Sequence, residues 1–180
     1  MLQLEIVFED KKWRSIPRLQ SRLEKAAAAT QAALPKNLSF PVSVTLLLAD
    51  NKAVQKLNRD FRGLNKPTNV LSFPQYKPRQ LAKIGKEGGL VELGDIALAY
   101  QYVVVEAKKY HKILINHVTH LFIHGFLHLL GYDHLLDKDA NRMEKLEQQI
   151  MAALKLPDPY QDGMPTKRAN NTRRNKTKKT

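Results

Sequence analysis

Residues 117–134 read HVTHLFIHGFLHLLGYDH, and five of the chain's six histidines fall in this one stretch. His124 and His128 stand at i and i+4 in an apolar run from Ile113 to Leu130. On a helix their imidazoles leave from one face and can share an ion. Gly131 follows where the helix must stop, because glycine accepts the left-handed conformation of a C′ residue. The chain then turns through Tyr132 and Asp133 and presents His134. Three neutral imidazoles around a divalent ion leave a position for water, which is the catalytic rather than the structural arrangement. His120 extends the same stripe, but His120, His124 and His128 on a straight helix would span about 12 Å of rise, too far to meet one ion at about 2.1 Å. His120 is therefore expected as a buried partner or a proton donor beside the site. Asp133 is expected to orient a ligand imidazole.

Working outward, the composition narrows the chemistry. The 180 residues contain no cysteine, which excludes disulfides, iron–sulfur clusters, thiolate zinc sites and a thiol nucleophile. A metal must be held by His, Asp or Glu. Hydrophobic residues make up 43%, enough for a core. No apolar run approaches the ~20 residues of a membrane span, and MLQLEIVFEDKKW does not have the pattern of a secretory signal. The expectation is a soluble cytoplasmic protein. The net charge is +13, from 30 Lys+Arg against 17 Asp+Glu, and points to a polyanionic partner. Seven of the basic residues lie in 163–180 (GMPTKRANNTRRNKTKKT), a stretch with no acid and no apolar periodicity; without them the net charge falls from +13 to +6. This segment reads as a disordered basic tail, either a solubilising terminus or a sequence-independent attractor of phosphates. The folded domain is expected over residues 1–160.

The remaining pattern is mixed. Leu2–Phe8 alternates as a half-buried strand, and Pro41–Ala49 and Val91–Ala99 are further strands. Thr68–Phe73 is a short strand between Pro67 and Pro74, which suits an edge. Helices are expected over Pro17–Leu34, over Asn51–Phe61 behind an Asp50 cap, over Tyr100–Tyr110 and Ile113–Leu130, and over Asp137–Leu154, capped and amphipathic. The polar, glycine-containing stretch 75–89 reads as a long loop. Four strands and about five helices, not in strict alternation, give an α+β layer structure.

The pattern H-x-x-x-H-x-x-G-x-x-H has the spacing of the metzincin zinc proteases, with Gly125 in place of their Glu. That Glu activates water for peptide hydrolysis, so its absence argues against a protease. Phosphodiester cleavage tolerates the loss better, because a metal and cationic side chains can carry the charge. Met143 invites comparison with the metzincin Met-turn but lies in a helical pattern, where a core role is expected.

HGFLHLLGYDH, LNRDFRGLNKPTNVLSFP (residues 57–74) and LGDIAL (residues 93–98) together resemble the motifs of the YbeY family, bacterial endoribonucleases of ribosomal-RNA maturation. The resemblance covers roughly residues 40–160. It implies a zincin-like mixed four-stranded sheet with the metal helix beneath it. It implies single-strand RNA cleavage in small-subunit rRNA maturation and ribosome quality control, with RNA and the ribosome as partners. The family's metal ligands map onto His124, His128 and His134, and its characteristic arginine onto Arg62, whose guanidinium can grip a phosphate in a bidentate way. Arg59, Lys66, Lys77 and Arg79 could extend a basic groove, Asn69 and Ser72 could face the site, and Asp95 could support it. Zinc is the first choice of metal and nickel the alternative. Water and the substrate 2′-hydroxyl both stay open as nucleophile. Two rival classes are a zincin-like metalloprotease or amidohydrolase, and a non-catalytic ribosome-binding factor with a structural metal.

Overall fold

The computed structural model describes residues 2–35, 38, 40–134 and 136–161; the basic segment 163–180 lies outside these. Its elements in chain order are β1 (Leu2–Phe8), a 3₁₀ turn (Lys11–Ser15), α1 (Leu19–Ala32), β2 (Val42–Ala49), α2 (Asn51–Arg62), β3 (Val70–Pro74), α3 (Pro78–Glu87), β4 (Val91–Ala99), α4 (Tyr100–Lys109), α5 (Leu114–Leu129) and α6 (Asp137–Ala153).

The sheet has the order β1-β2-β4-β3. β1 runs parallel to β2 and β2 parallel to β4, while β3 is antiparallel to β4 and forms an edge. Pro74 closes β3 at that edge, where a missing N–H costs no ladder bond. Strand alternation assigns the faces. Val42, Val44, Leu46 and Leu48 of β2 point into the main core with Leu19 and Leu23 of α1 and Phe122, Ile123 and Phe126 of α5. Each such side chain contributes about 1.5–3 kcal/mol by burial. The opposite face carries a smaller cluster in which Val54 of α2 packs on Leu71, Ala97 and Ala99. Trp13 in the 3₁₀ turn is fully buried, and its indole N–H donates to the Ala49 carbonyl at 2.9 Å, which ties the start of the chain to the end of β2.

α5 is apolar on nearly every side, the signature of a core helix. It packs against β3 and β4 and against α1, α4 and α6. Gly125 sets its approach to the sheet. A Cβ built there would lie 2.9 Å from Ile96 Cγ2 and 3.1 Å from Ser72 Oγ. α2 begins as expected, with the Asp50 carboxylate accepting from the Ala53 N–H at 2.8 Å.

Two expectations need correction. The stretch 75–89 is not a long loop, because Pro78–Glu87 forms α3. Pro78 sits in its first turn, where its missing N–H is harmless, and Leu81 is buried beneath it. The glycines that suggested a loop are Gly85, which faces the Phe40 ring, and Gly88 and Gly89, which lie beyond the helix end. With α3 the described residues hold six α-helices, in keeping with the about five expected. α6 does not carry the expected side-chain cap: Leu136 holds the cap position and makes no side-chain bond there, and Asp137 and Asp139 in the first turn supply only favourable charge.

Candidate metal centre

The three histidines expected as ligands converge. Each offers a ligating atom, and these atoms all lie within 4.8 Å of one another. The His128 and His134 ring centres are 4.9 Å apart, and those of His124 and His134 are 5.8 Å apart. Gly131, at φ +86°, makes the reversal that brings His134 back, and a Cβ at that position would meet Pro78 Cγ at 2.6 Å.

The hydrogen bonds fix which nitrogen each ring presents. The Tyr132 carbonyl can only accept, so His128 Nδ1–H donates to it at 2.9 Å. Glu147 can likewise only accept while ionised, so His124 Nδ1–H donates to its Oε1 at 2.7 Å. Each ring therefore has Nε2 unprotonated, and these two nitrogens lie 3.1 Å apart. Two lone pairs at that distance repel, and a cation bonded to both reverses the sign of the contact. Neighbouring nitrogens around a tetrahedral ion with bonds of about 2.1 Å stand roughly 3.4 Å apart, so the pair fits zinc-type coordination. The donor set, the tautomers and the spacing all suit a divalent ion held by three imidazoles.

Glu147 of α6 is the group that the sequence reading missed. It is 0% exposed. Its Oε2 accepts from His120 Nε2 at 3.0 Å and from the Tyr160 hydroxyl, while Oε1 holds His124. Burial opposes its ionisation, but the electrostatic interaction with His124 and the hydrogen bonds from His120 and His124 outweigh that and hold the carboxyl well below its usual range. Burial and the adjacent Glu147 carboxylate push the Tyr160 phenol far above its ordinary value, so it stays a donor. A signal for Glu147 was available: it is an acid between Leu146 and Ile150 on the apolar stripe of α6, and a buried acid needs a partner.

His120 takes the expected place as a buried neighbour, joined to His124 through Glu147. Met143 is buried in the core, as the helical pattern implied. Asp133 does not orient the His134 ring. Its Oδ1 accepts from the His134 backbone N–H at 2.7 Å, and the ring nitrogen stays 4.0 Å away.

Around the histidines opens a cleft of about 710 Å³. Arg62, the last residue of α2, lines it together with Asn69, Ser72, Glu106, Tyr110, Glu144 and Tyr160. Ser72 Oγ donates to the Gly125 carbonyl at 3.2 Å, and Asn69 Nδ2 donates to Glu106 at 2.9 Å. Of the other cations considered, Arg59 pairs with Asp60 at 2.8 Å, and Arg59, Lys66, Lys77 and Arg79 are exposed outside the cleft lining. Asp95 lies mid-strand in β4 on an exposed position and is also outside that lining.

Comparison with known proteins follows the same lines. The sequence model of the family described as endoribonuclease YbeY matches residues 5–155. Among relatives named Endoribonuclease YbeY, that of Bradyrhizobium diazoefficiens is 42% identical over 83% of this chain and 80% of its own length. That of Zymomonas mobilis is 41% identical over 86% and 87%, and that of Sinorhizobium medicae 40% over 89% and 96%. The solution structure of TM1509 from Thermotoga maritima covers 91% of this chain and 98% of its own at a TM-score of 0.52 and 24% identity, a likeness of fold.

Proposed function

Because the chain belongs to the YbeY endoribonuclease family, we propose that it is a metal-dependent endoribonuclease that cuts single-stranded RNA and acts in small-subunit rRNA maturation and ribosome quality control. The observation that carries the metal dependence is the pair of unprotonated Nε2 atoms of His124 and His128, 3.1 Å apart and flanked by His134. Zinc is the proposed ion, with nickel the alternative for the same ligand type. Such an ion supplies Lewis acidity at a phosphoryl oxygen and makes water more acidic.

The chain's own residues do the rest. His124 and His128 are held in the ligating tautomer by Glu147 and the Tyr132 carbonyl, so little reorganisation precedes binding. Arg62 at the cleft wall offers two parallel N–H donors to the scissile phosphate and stabilises the charge that grows on it. The basic segment 163–180 adds attraction to the backbone that is blind to sequence.

The protease reading meets a steric objection at Gly125. The Cβ of an acid there would abut Ile96 and Ser72, on the side of α5 that faces the sheet.

The test pairs metal content with cleavage of a defined single-stranded RNA, for wild type and His128→Ala purified alike. About one ion per chain with cleavage in wild type, and neither in the variant, is expected. Equal cutting by both would reject the metal-centred reading and favour a ribosome-binding factor.

A further inference from the structure

The cleft holds a second acid–histidine pair that the chemistry above does not use. Glu106 of α4 lines the cleft with 18% of its side chain exposed. Its Oε2 accepts from His117 Nε2 and from Asn69 Nδ2, each at 2.9 Å. Asn69 is itself fixed, since its Oδ1 accepts from the Val70 N–H at 2.8 Å and from the Thr68 hydroxyl at 3.3 Å. The carboxylate is thus held from one side, and its Oε1 makes no hydrogen bond among the described residues. Tyr110 follows one turn later at the end of α4 and lines the same cleft.

A fixed carboxylate is a poor neighbour for phosphate. What it meets favourably on RNA is a neutral donor, either a ribose 2′-hydroxyl or a base N–H. The aromatic ring decides between them, because unpaired bases are bound by stacking on such rings while their Watson–Crick edges are read by hydrogen bonds. We propose that Glu106 and Tyr110 form a nucleobase pocket beside the three histidines that takes a base with an amino group on its Watson–Crick edge, cytosine, adenine or guanine, in preference to uracil. Cytosine N4, adenine N6 and guanine N2 donate to a carboxylate oxygen, whereas uracil has no amino group and flanks its single N3–H with two carbonyl oxygens that oppose the carboxylate. Asn69 and His117 act as the positioning residues of that acceptor. The inference rests on the RNA-cleaving reading and adds a base preference to it.

Metal-loaded protein acting on single-stranded RNA of randomised sequence, with the cut ends sequenced, reads the preference at every position. At one position cytosine, adenine and guanine should exceed uracil by about fivefold or more, the lower range for one base-edge contact. In Glu106→Gln the amide oxygen can face His117 and Asn69 and its NH₂ the cleft, so the order should reverse toward uracil. Tyr110→Ala should flatten the preference. The same bias in wild type and Glu106→Gln, or a bias that follows 2′-deoxy substitution instead of the base, would overturn the proposal. Titration with cytidine and uridine monophosphates, followed by the amide NMR shifts of Glu106 and Tyr110, separates it from the reading beneath it. Preference for the cytidine nucleotide without RNA cleavage would keep the pocket and sink the nuclease; equal shifts would sink the pocket.

Discussion

Glu147 Oε1 lies 2.7 Å from His124 Nδ1, and this contact between α6 and α5 decides which nitrogen of His124 faces His128 and His134. The same carboxylate spans two histidines and a tyrosine, so it sets the ring orientation at the centre from a position with no exposure of its own.

Glu147→Ala should therefore cost both metal and stability. Loss of such an orienting partner typically weakens metal binding about 10–100-fold. Loss of a hydrogen bond to a buried charged group costs about 1.5–3 kcal/mol. Competition with a chromophoric chelator and thermal melting of the metal-free protein measure the two. Unchanged affinity would remove the orienting role.

Arg62 is exposed at the cleft and outside the core, so Arg62→Ala should leave folding and metal content intact. Cleavage should drop by about 10²–10³, the scale of losing one charge-stabilising donor. Arg62→Lys should restore only part, since lysine cannot make the two-pronged contact. Full activity in the alanine variant would count against a role in the reaction.

Gly125 separates this site from the protease pattern. Alanine there gains about 1 kcal/mol of helix propensity, but overpacking against Ile96 and Ser72 costs about 1–3 kcal/mol. A lower Tm for Gly125→Ala is expected, and a larger drop for Gly125→Glu, with no peptide hydrolysis gained. A stable Gly125→Glu variant that cleaves casein would revive the rival class.

His117 predicts acid sensitivity. Burial pushes its imidazole below the ordinary value, more than hydrogen bonding to Glu106 raises it. Burial would raise Glu106, but the His117 and Asn69 hydrogen bonds win and leave it lowered. The native pair is thus neutral imidazole and carboxylate, which leaves a lone pair rather than an N–H at the unpartnered, buried His117 Nδ1. Both folded values lie below the unfolded ones, so the unfolded chain binds protons first as pH falls. Stability from His117 should begin to fall below about pH 6.5, and that from Glu106 below about pH 4.5. Melting of metal-free protein from pH 7.5 to 5.5 should show the first loss, and His117→Asn should flatten that part of the curve.

Removal of residues 163–180 should weaken RNA binding and reduce the steepness of its salt dependence. An identical slope of log affinity against log salt, with and without the segment, would make it a bystander.

The histidine pattern was legible because three histidines at fixed offsets around a helix end leave few alternatives. The strands were legible because Leu2–Phe8 and Val42–Ala49 alternate or run apolar as sheets require. The acids of the cleft were hidden for a physical reason. Glu147 sits 23 residues from His124, and Glu106 sits 37 from Asn69, so packing of separate elements joins them and no local spacing shows it. α3 was missed because its interior glycine imitates a loop. Asp133 was misjudged because a short side chain reaches the next backbone N–H more readily than the ring beyond it.

Gly131 touches more than its own turn. Two separate conditions forbid a side chain there, the positive φ and the body of Pro78, so the first turn of α3 is wedged against the bend that delivers His134. α3 belongs to a segment that carries none of the recognised motifs, yet it shares a boundary with the turn that carries His134. A graft that exchanged this segment for a shorter one would move the seat of the bend, and the two pieces are exchangeable only together.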